Sequence, residues 1–312
     1  MILLLPELDW RIYRTQSMPY NQSSNLVMTL LDMEEPRWDP NDPNIIWGLR
    51  TFRIVTVNVQ TGQEVTIKDF SQDSTIGPIV TAEPDFYRIT TKGEGESSTD
   101  KRFWVFIFQG TGEDYRARYI FTWDRQQDKV LGVYKVPVKE DPGIDFVGMS
   151  PKGTWILISG DYYSGNLLGG LVIANKEITQ FHRLDYAFGH SDVGLDSEGN
   201  EVTVAQNAWT DYIDLIPLDP STKPIPEPGG SYDGTNRTRL IRLFYNSSSP
   251  IGFNSRVHVS CNVPGYCVVS TYTQPNVSEQ NWLDRTITLV KLDKNHPRVF
   301  YLAKVYNTTA VY

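Results

Sequence analysis

Five times along this chain a polar turn rich in Asp, Gly, Ser or Pro leads into a run of β-branched and aromatic residues. The copies are Trp38-Asp-Pro-Asn-Asp-Pro-Asn-Ile-Ile-Trp47, Ser98-Thr-Asp-Lys-Arg-Phe-Trp-Val-Phe-Ile107, Ser150-Pro-Lys-Gly-Thr-Trp-Ile-Leu-Ile158, Asp196-Ser-Glu-Gly-Asn-Glu-Val-Thr-Val204 and Asn262-Val-Pro-Gly-Tyr-Cys-Val-Val269. Such turn residues reverse the backbone and such side chains fit a pleated surface, so each copy predicts a hairpin turn entering a strand. A second strand pair follows each copy, beginning at Arg53, Tyr119, Gly170, Tyr212 and Thr286. Four strands make a unit that cannot bury both of its faces alone, and no long helical periodicity competes. The sequence therefore predicts an all-β fold, a β-propeller of four-stranded antiparallel blades forming one domain over residues 1–312.

The five repeats run from Glu34 to Lys304, with flanks at 1–33 and 305–312. The flanks are too short for two further blades and predict a shared closing blade, with residues 25–31 as its strand, so the expected blade count is five to seven. The longest interruptions, 71–84, 109–118 and 218–238, are expected as loops. Each is open to two readings, a partner-binding loop or a tolerated insertion.

Composition narrows the function classes. The 312 residues are 40% hydrophobic and 21% charged, an ordinary globular mixture. A net charge of −8 with no basic run disfavours nucleic acid as a partner. No stretch reaches the roughly 18 apolar residues of a transmembrane helix. The opening Met1-Ile-Leu-Leu-Leu-Pro6 is too short for a signal-peptide core. Two cysteines, Cys261 and Cys267, flank a five-residue turn, which makes them either a cross-strand disulfide or two small core residues. Asn-x-Ser/Thr sequons at Asn21, Asn236, Asn246, Asn276 and Asn307 fit an exported, glycosylated chain, extracellular or periplasmic.

Four histidines offer nitrogen donors. His182 and His296 read as surface or packing residues. His190, in Phe188-Gly-His-Ser-Asp192, and His258, in Arg256-Val-His-Val-Ser-Cys261, enter successive blades at equivalent positions, so they are expected to converge near the axis. With Asp192, and Gln206 as a weaker member, they form a candidate site for one divalent ion, Mn, Fe, Zn or Ca. The alternative is that both rings only hydrogen-bond backbone groups. Trp47, Trp104, Trp123 and Trp155 fall on strands and read as packing, whereas Trp209, Tyr212 and Trp282 lie between hairpins and are the candidate binding aromatics.

Several of these stretches carry a resemblance. Glu35-Pro-Arg-Trp-Asp-Pro-Asn-Asp-Pro43, Gly148-Met-Ser-Pro-Lys-Gly153, the run from Gly189 to Val202 and His258-Val-Ser-Cys-Asn-Val-Pro-Gly265 are similar to bacterial WD-type propellers resembling oligogalacturonate lyases. The resemblance spans nearly the whole chain and implies the propeller fold. It also implies a channel-centred divalent metal held by several His and a Gln, acting on an acidic sugar. Only His190 and His258 match that set, and the chain departs from the family where it reads Tyr301-Leu-Ala-Lys-Val-Tyr-Asn-Thr-Thr309 in place of a His-rich stretch.

Other catalytic signatures are missing. Lys92-Gly-Glu-Gly-Glu-Ser-Ser98 lacks the Gly-Lys-Ser/Thr of a phosphate loop, Tyr163-Ser-Gly165 lacks the leading glycine of a nucleophile elbow, and most Asp residues sit where they cap turns. The sequence is thus read as an exported propeller that binds a protein or glycan without catalysis. The alternatives are a metal-dependent lyase acting on a uronate glycan and a structural subunit of an extracellular assembly.

Overall fold

The computed structural model describes residues 33–39, 41–83, 85–91, 97–110, 116–137, 143–162, 165–186, 188–207, 210, 212–225, 230–242, 255–273 and 285–304. It is an all-β, five-blade propeller fold, and each blade is a four-stranded antiparallel meander in chain order. Blade 1 is β1 (Glu34–Trp38), β2 (Ile45–Arg50), β3 (Arg53–Asn58) and β4 (Glu64–Asp69). Blade 2 is β5 (Phe86–Thr90), β6 (Phe103–Gly110), β7 (Ala117–Asp124) and β8 (Lys129–Lys135). Blade 3 is β9 (Ile144–Met149), β10 (Trp155–Gly160), β11 (Gly170–Asn175) and β12 (Phe181–Asp185). Blade 4 is β13 (Phe188–Leu195), β14 (Glu201–Asn207), β15 (Tyr212–Pro217) and β16 (Thr238–Arg242). Blade 5 is β17 (Ser255–Val263), β18 (Tyr266–Thr273), β19 (Thr286–Lys291) and β20 (Arg298–Lys304).

The five repeated turns each join the first two strands of a blade, and their polar residues serve the backbone. Asp39 Oδ1 accepts the N–H groups of Asn41 and Asp42, and Asp196 Oδ1 those of Glu198 and Asn200. Asp124 and Asp293 cap other turns in the same way. The expected closing strand at 25–31 lies outside the described residues.

The chain divides into two compact units, Met1–Glu83 and Pro84–Tyr312. In the first, blade 1 buries Met33, Ile46, Val55 and Val57. The stretch expected as a loop after β4 is folded: a 3-10 turn at Phe70–Gln72 and a helix, α1 (Gly77–Ala82), follow the strand, with Phe70 and Ile76 fully buried. A Cβ at Gly77 would stand 2.7 Å from the Ser71 carbonyl oxygen, so the close return of the chain requires glycine there.

In the second unit, β-branched and Leu side chains fill three successive inter-blade seams. Val105 and Ile120 of blade 2 meet Val147, Ile156 and Val172 of blade 3. Leu157, Leu171 and Ile173 of blade 3 meet Val193, Ala205 and Ile216 of blade 4. Val204, Ile213 and Leu215 of blade 4 meet Val257, Val269 and Val290 of blade 5. Fully burying one such side chain is worth roughly 1.5–3 kcal/mol, which makes these seams the main source of cohesion. Trp47, Trp104 and Trp123 are buried, their indole N–H groups satisfied by Asp39, the Lys101 carbonyl and Asp128. Trp155 is half-buried at the edge of the blade 3–blade 4 seam.

Cys261 and Cys267 are disulfide-bonded across the β17–β18 hairpin. The bond also belongs to the blade 4–blade 5 seam, because a Cβ at Gly194 on β13 would stand 2.7 Å from the Cys261 Cβ. Replacing both cysteines by alanine is expected to lower the unfolding free energy by about 2 kcal/mol, from the loop-closure entropy of so short a ring. Matched urea titrations of the two proteins check this, and mass measurement before and after reduction of the native chain should show a gain of two protons' mass in the wild type alone.

Candidate functional site

The strand registers sort the connections onto two ends of each blade. At one end lie the repeated turns. The other end holds the turn between the second and third strands and the crossings from blade to blade, because Gly160 pairs with both Ile144 and Gly170, and Phe188 pairs with Asn207. His190, His258 and Tyr212 all lie toward this crossing end. Trp209 and Trp282, placed by the chain in the β14–β15 and β18–β19 connections, lie outside the described residues. Loop 109–118 belongs to the same end, whereas loop 218–238 leaves from the opposite one.

His190 on β13 and His258 on β17 come together, their ring centroids 4.5 Å apart and their planes tilted by 47°. The reason is positional: β13 and β17 are the first strands of successive blades, and first strands approach one another. His190 is half-buried and His258 exposed. Asp192, the third expected ligand, accepts two backbone amides. Its Oδ1 accepts the Val193 N–H and its Oδ2 the Cys261 N–H, both at 2.8 Å, so the carboxylate ties β13 to β17. Gln206 is buried against Gly189, where any Cβ would collide with the amide oxygen, and its Nε2 has no hydrogen-bond partner among the described residues.

Among the described residues no group of three or more His, Cys, Asp or Glu is placed to hold a metal ion. His182 hydrogen-bonds the Thr222 carbonyl at 2.6 Å, and the His296 N–H donates to Asp293 in the β19–β20 turn.

Two tyrosine–arginine clusters sit at the crossing end of blades 3 and 4. The Tyr162 and Tyr186 rings meet edge to face at 4.9 Å, and Arg183 lies 4.9 and 5.2 Å from their centroids. The Arg183 guanidinium is fixed by the carbonyls of Asn166, Leu167 and Gly169. On blade 4, Arg239 stands 3.8 Å from the Tyr232 ring and 4.7 Å from that of Tyr212.

A buried charged network that no local sequence pattern announces joins blades 3 and 4. Arg237, Asp185 and Asp214 have fully buried side chains. Arg237 pairs with Asp185, lies 3.8 Å from Asp214, and donates to the carbonyls of Leu184 and Lys223 at 2.7 and 2.9 Å. Asn207 donates to both carboxylates, and the Tyr232 hydroxyl donates to Asp214 at 3.0 Å. Burial pushes the Asp214 carboxyl up to about 7 against the pull of Arg237. Burial, then the charge of Asp214, pushes the Tyr232 phenol up as well. The loop expected at 218–238 is thus a strap fastened at Tyr232 and Arg237.

The sequence matches no protein-family model and no curated protein. Among solved structures it is similar to an oligogalacturonate lyase from Vibrio parahaemolyticus, at 9% identity and a TM-score of 0.48 over 86% of this chain and 65% of that one. It is also similar to the hydrazine synthase of Kuenenia stuttgartiensis, at 15% identity and a TM-score of 0.44 over 87% and 66% of the two chains. An oligogalacturonate lyase in complex with manganese aligns at 10% identity and a TM-score of 0.42, over 88% and 77%. The chain spans about two thirds of the length of the first two.

Proposed function

We propose that the chain is an exported, non-catalytic binding module that takes a glycan or another protein on the crossing end of its blades. The paired tyrosine–arginine clusters carry this reading. Tyrosine faces stack on pyranose rings and on peptide side chains, and an arginine held across them adds a cation and directed N–H donors. Tyr162 is 43% exposed, so its cluster is open to a ligand. Tyr212 lies on the same end of blade 4. The bonded cysteines suit an oxidising compartment outside the cytoplasm.

Calorimetric titration of neutral and acidic oligosaccharides and of extracellular proteins tests it. Tyr162→Ala should weaken the bound ligand at least about tenfold while leaving the thermal midpoint within about 2 °C. Unchanged affinity in that variant, or no binding across the panel, removes the proposal. A metal-dependent uronate lyase is the second reading, favoured by the converged His190 and His258. Elemental analysis showing a stoichiometric divalent ion, with a His190-dependent absorbance rise near about 235 nm on pectic substrates, would replace the binding module by the lyase.

A further inference from the structure

We propose that the outer edge of β20 accepts an extended segment of another polypeptide as an added strand, one apolar in its middle and carrying a carboxylate at each end. Edge strands expose unpaired N–H and C=O groups, and proteins ordinarily blunt them with charge, proline or burial. The outer strands of the other blades follow that rule. β4 carries Glu64, Lys68 and Asp69, β12 carries Arg183, β16 carries Arg239 and Arg242, and the uncharged middle of β8 is half-buried. In β20 all seven residues are exposed, and the five between Arg298 and Lys304 are Val, Phe, Tyr, Leu and Ala. Tyr301 is 63% exposed and Leu302 49%. Among the described residues β19 is its one strand partner.

Charge selects the occupant. Each end of the strand itself carries a cation: Arg298, opposite a Lys291 whose ammonium Asp293 already pairs, and Lys304, opposite Thr286. No described carboxylate pairs with Arg298 or Lys304, in a chain whose net charge is −8. A second copy fits poorly, because two-fold antiparallel pairing about Tyr301 sets Arg298 of each copy against Lys304 of the other, and like charges directly opposite are destabilising. An incoming strand with an acidic residue at each end pairs favourably with both ends while its main chain completes the ladder.

The test uses the full chain and two fluorescein-labelled heptapeptides of alternating Val and Thr, one ending in Asp and Glu and the other in Lys at both ends. Anisotropy should show the acidic peptide bound at least about tenfold more tightly, with the preference weakening as salt rises. Arg298→Glu with Lys304→Glu should reverse the preference, and both positions are exposed enough to leave the thermal midpoint unchanged. Tyr301→Pro, which removes an edge N–H, should abolish binding of either peptide. Equal affinity for the two peptides, no binding, or an unreversed preference overturns the proposal. So does a dimer in analytical ultracentrifugation that Phe300→Lys dissociates. Slow hydrogen exchange at the outward-facing β20 amides of the free chain also overturns it, since the edge would then be covered by this chain itself.

Discussion

Replacing Arg237 by leucine is expected to lower the unfolding free energy by about 3–5 kcal/mol, because it removes the cation from two carboxylates that water cannot reach. Asp185 belongs to blade 3 and Asp214 to blade 4, and the guanidinium stands between them with no exposed surface. Its Nη2 donates to the carbonyls of Leu184 on β12 and Lys223 of the strap, so the substitution also leaves two carbonyls without their partner. Arg237→Lys keeps the charge but loses the planar fork that serves a carboxylate and two carbonyls at once, and an intermediate loss is expected. Arg102 supplies the contrast. It reaches Asp124 at 2.8 Å, yet its side chain is about a third exposed, and Arg102→Ala should cost far less than the Arg237 change. Urea unfolding of the three variants beside wild type checks the ordering. Equal midpoints for the Arg237 and Arg102 variants would show that the buried network holds nothing together.

The fold was legible in the sequence for a physical reason: each blade carries its own turn chemistry and its own β-branched run, both local in the chain. Asp39, Asp124, Asp196 and Asp293 cap turns through neighbours two to four residues away, and such short-range bonds leave a readable pattern. The approach of His190 to His258 was legible too, since repeat position alone dictates it. The hydrogen bonds of Asp192 were not. An aspartate two residues from a histidine reads as a ligand, and only the packing of β13 on β17 reveals that its oxygens hold the Val193 and Cys261 amides. The Arg237 network was hidden more deeply, because residues 185, 207, 214, 232 and 237 meet only after two blades and a strap have folded. In sequence the strap is a run of Pro and Gly that looks like an insertion. The segment after β4 misled similarly, since Gly77-Pro78 punctuates a chain that here folds into a short helix over a buried Phe70.

The pH dependence of stability should carry the signature of that network. Asp214 holds its proton to about 7 in the folded chain against 3.8 without the fold, chiefly because burial penalises the charge, while Asp185 beside it adds repulsion and Arg237, Tyr232 and Asn207 pull the other way. A carboxyl whose folded value is raised binds the proton more tightly in the native state. Its stabilising contribution is therefore complete below about pH 4 and is lost as pH rises toward 7, at up to about 1.4 kcal/mol per unit. Across that window the native chain should lose on the order of 3 kcal/mol relative to Asp214→Asn, which has no proton to hold there and keeps an acceptor for Tyr232. The surface carboxylates contribute equally to both proteins, so the difference between their unfolding free energies isolates the buried group. Urea midpoints at half-unit steps from pH 4 to pH 8 measure it. Curves that run parallel over the whole range would mean that Asp214 is ionised throughout and that Arg237 alone satisfies both carboxylates. Convergence of the two curves toward low pH, with wild type falling away as pH rises, is the expected result, and it would make the blade 3–blade 4 seam weakest in alkaline surroundings.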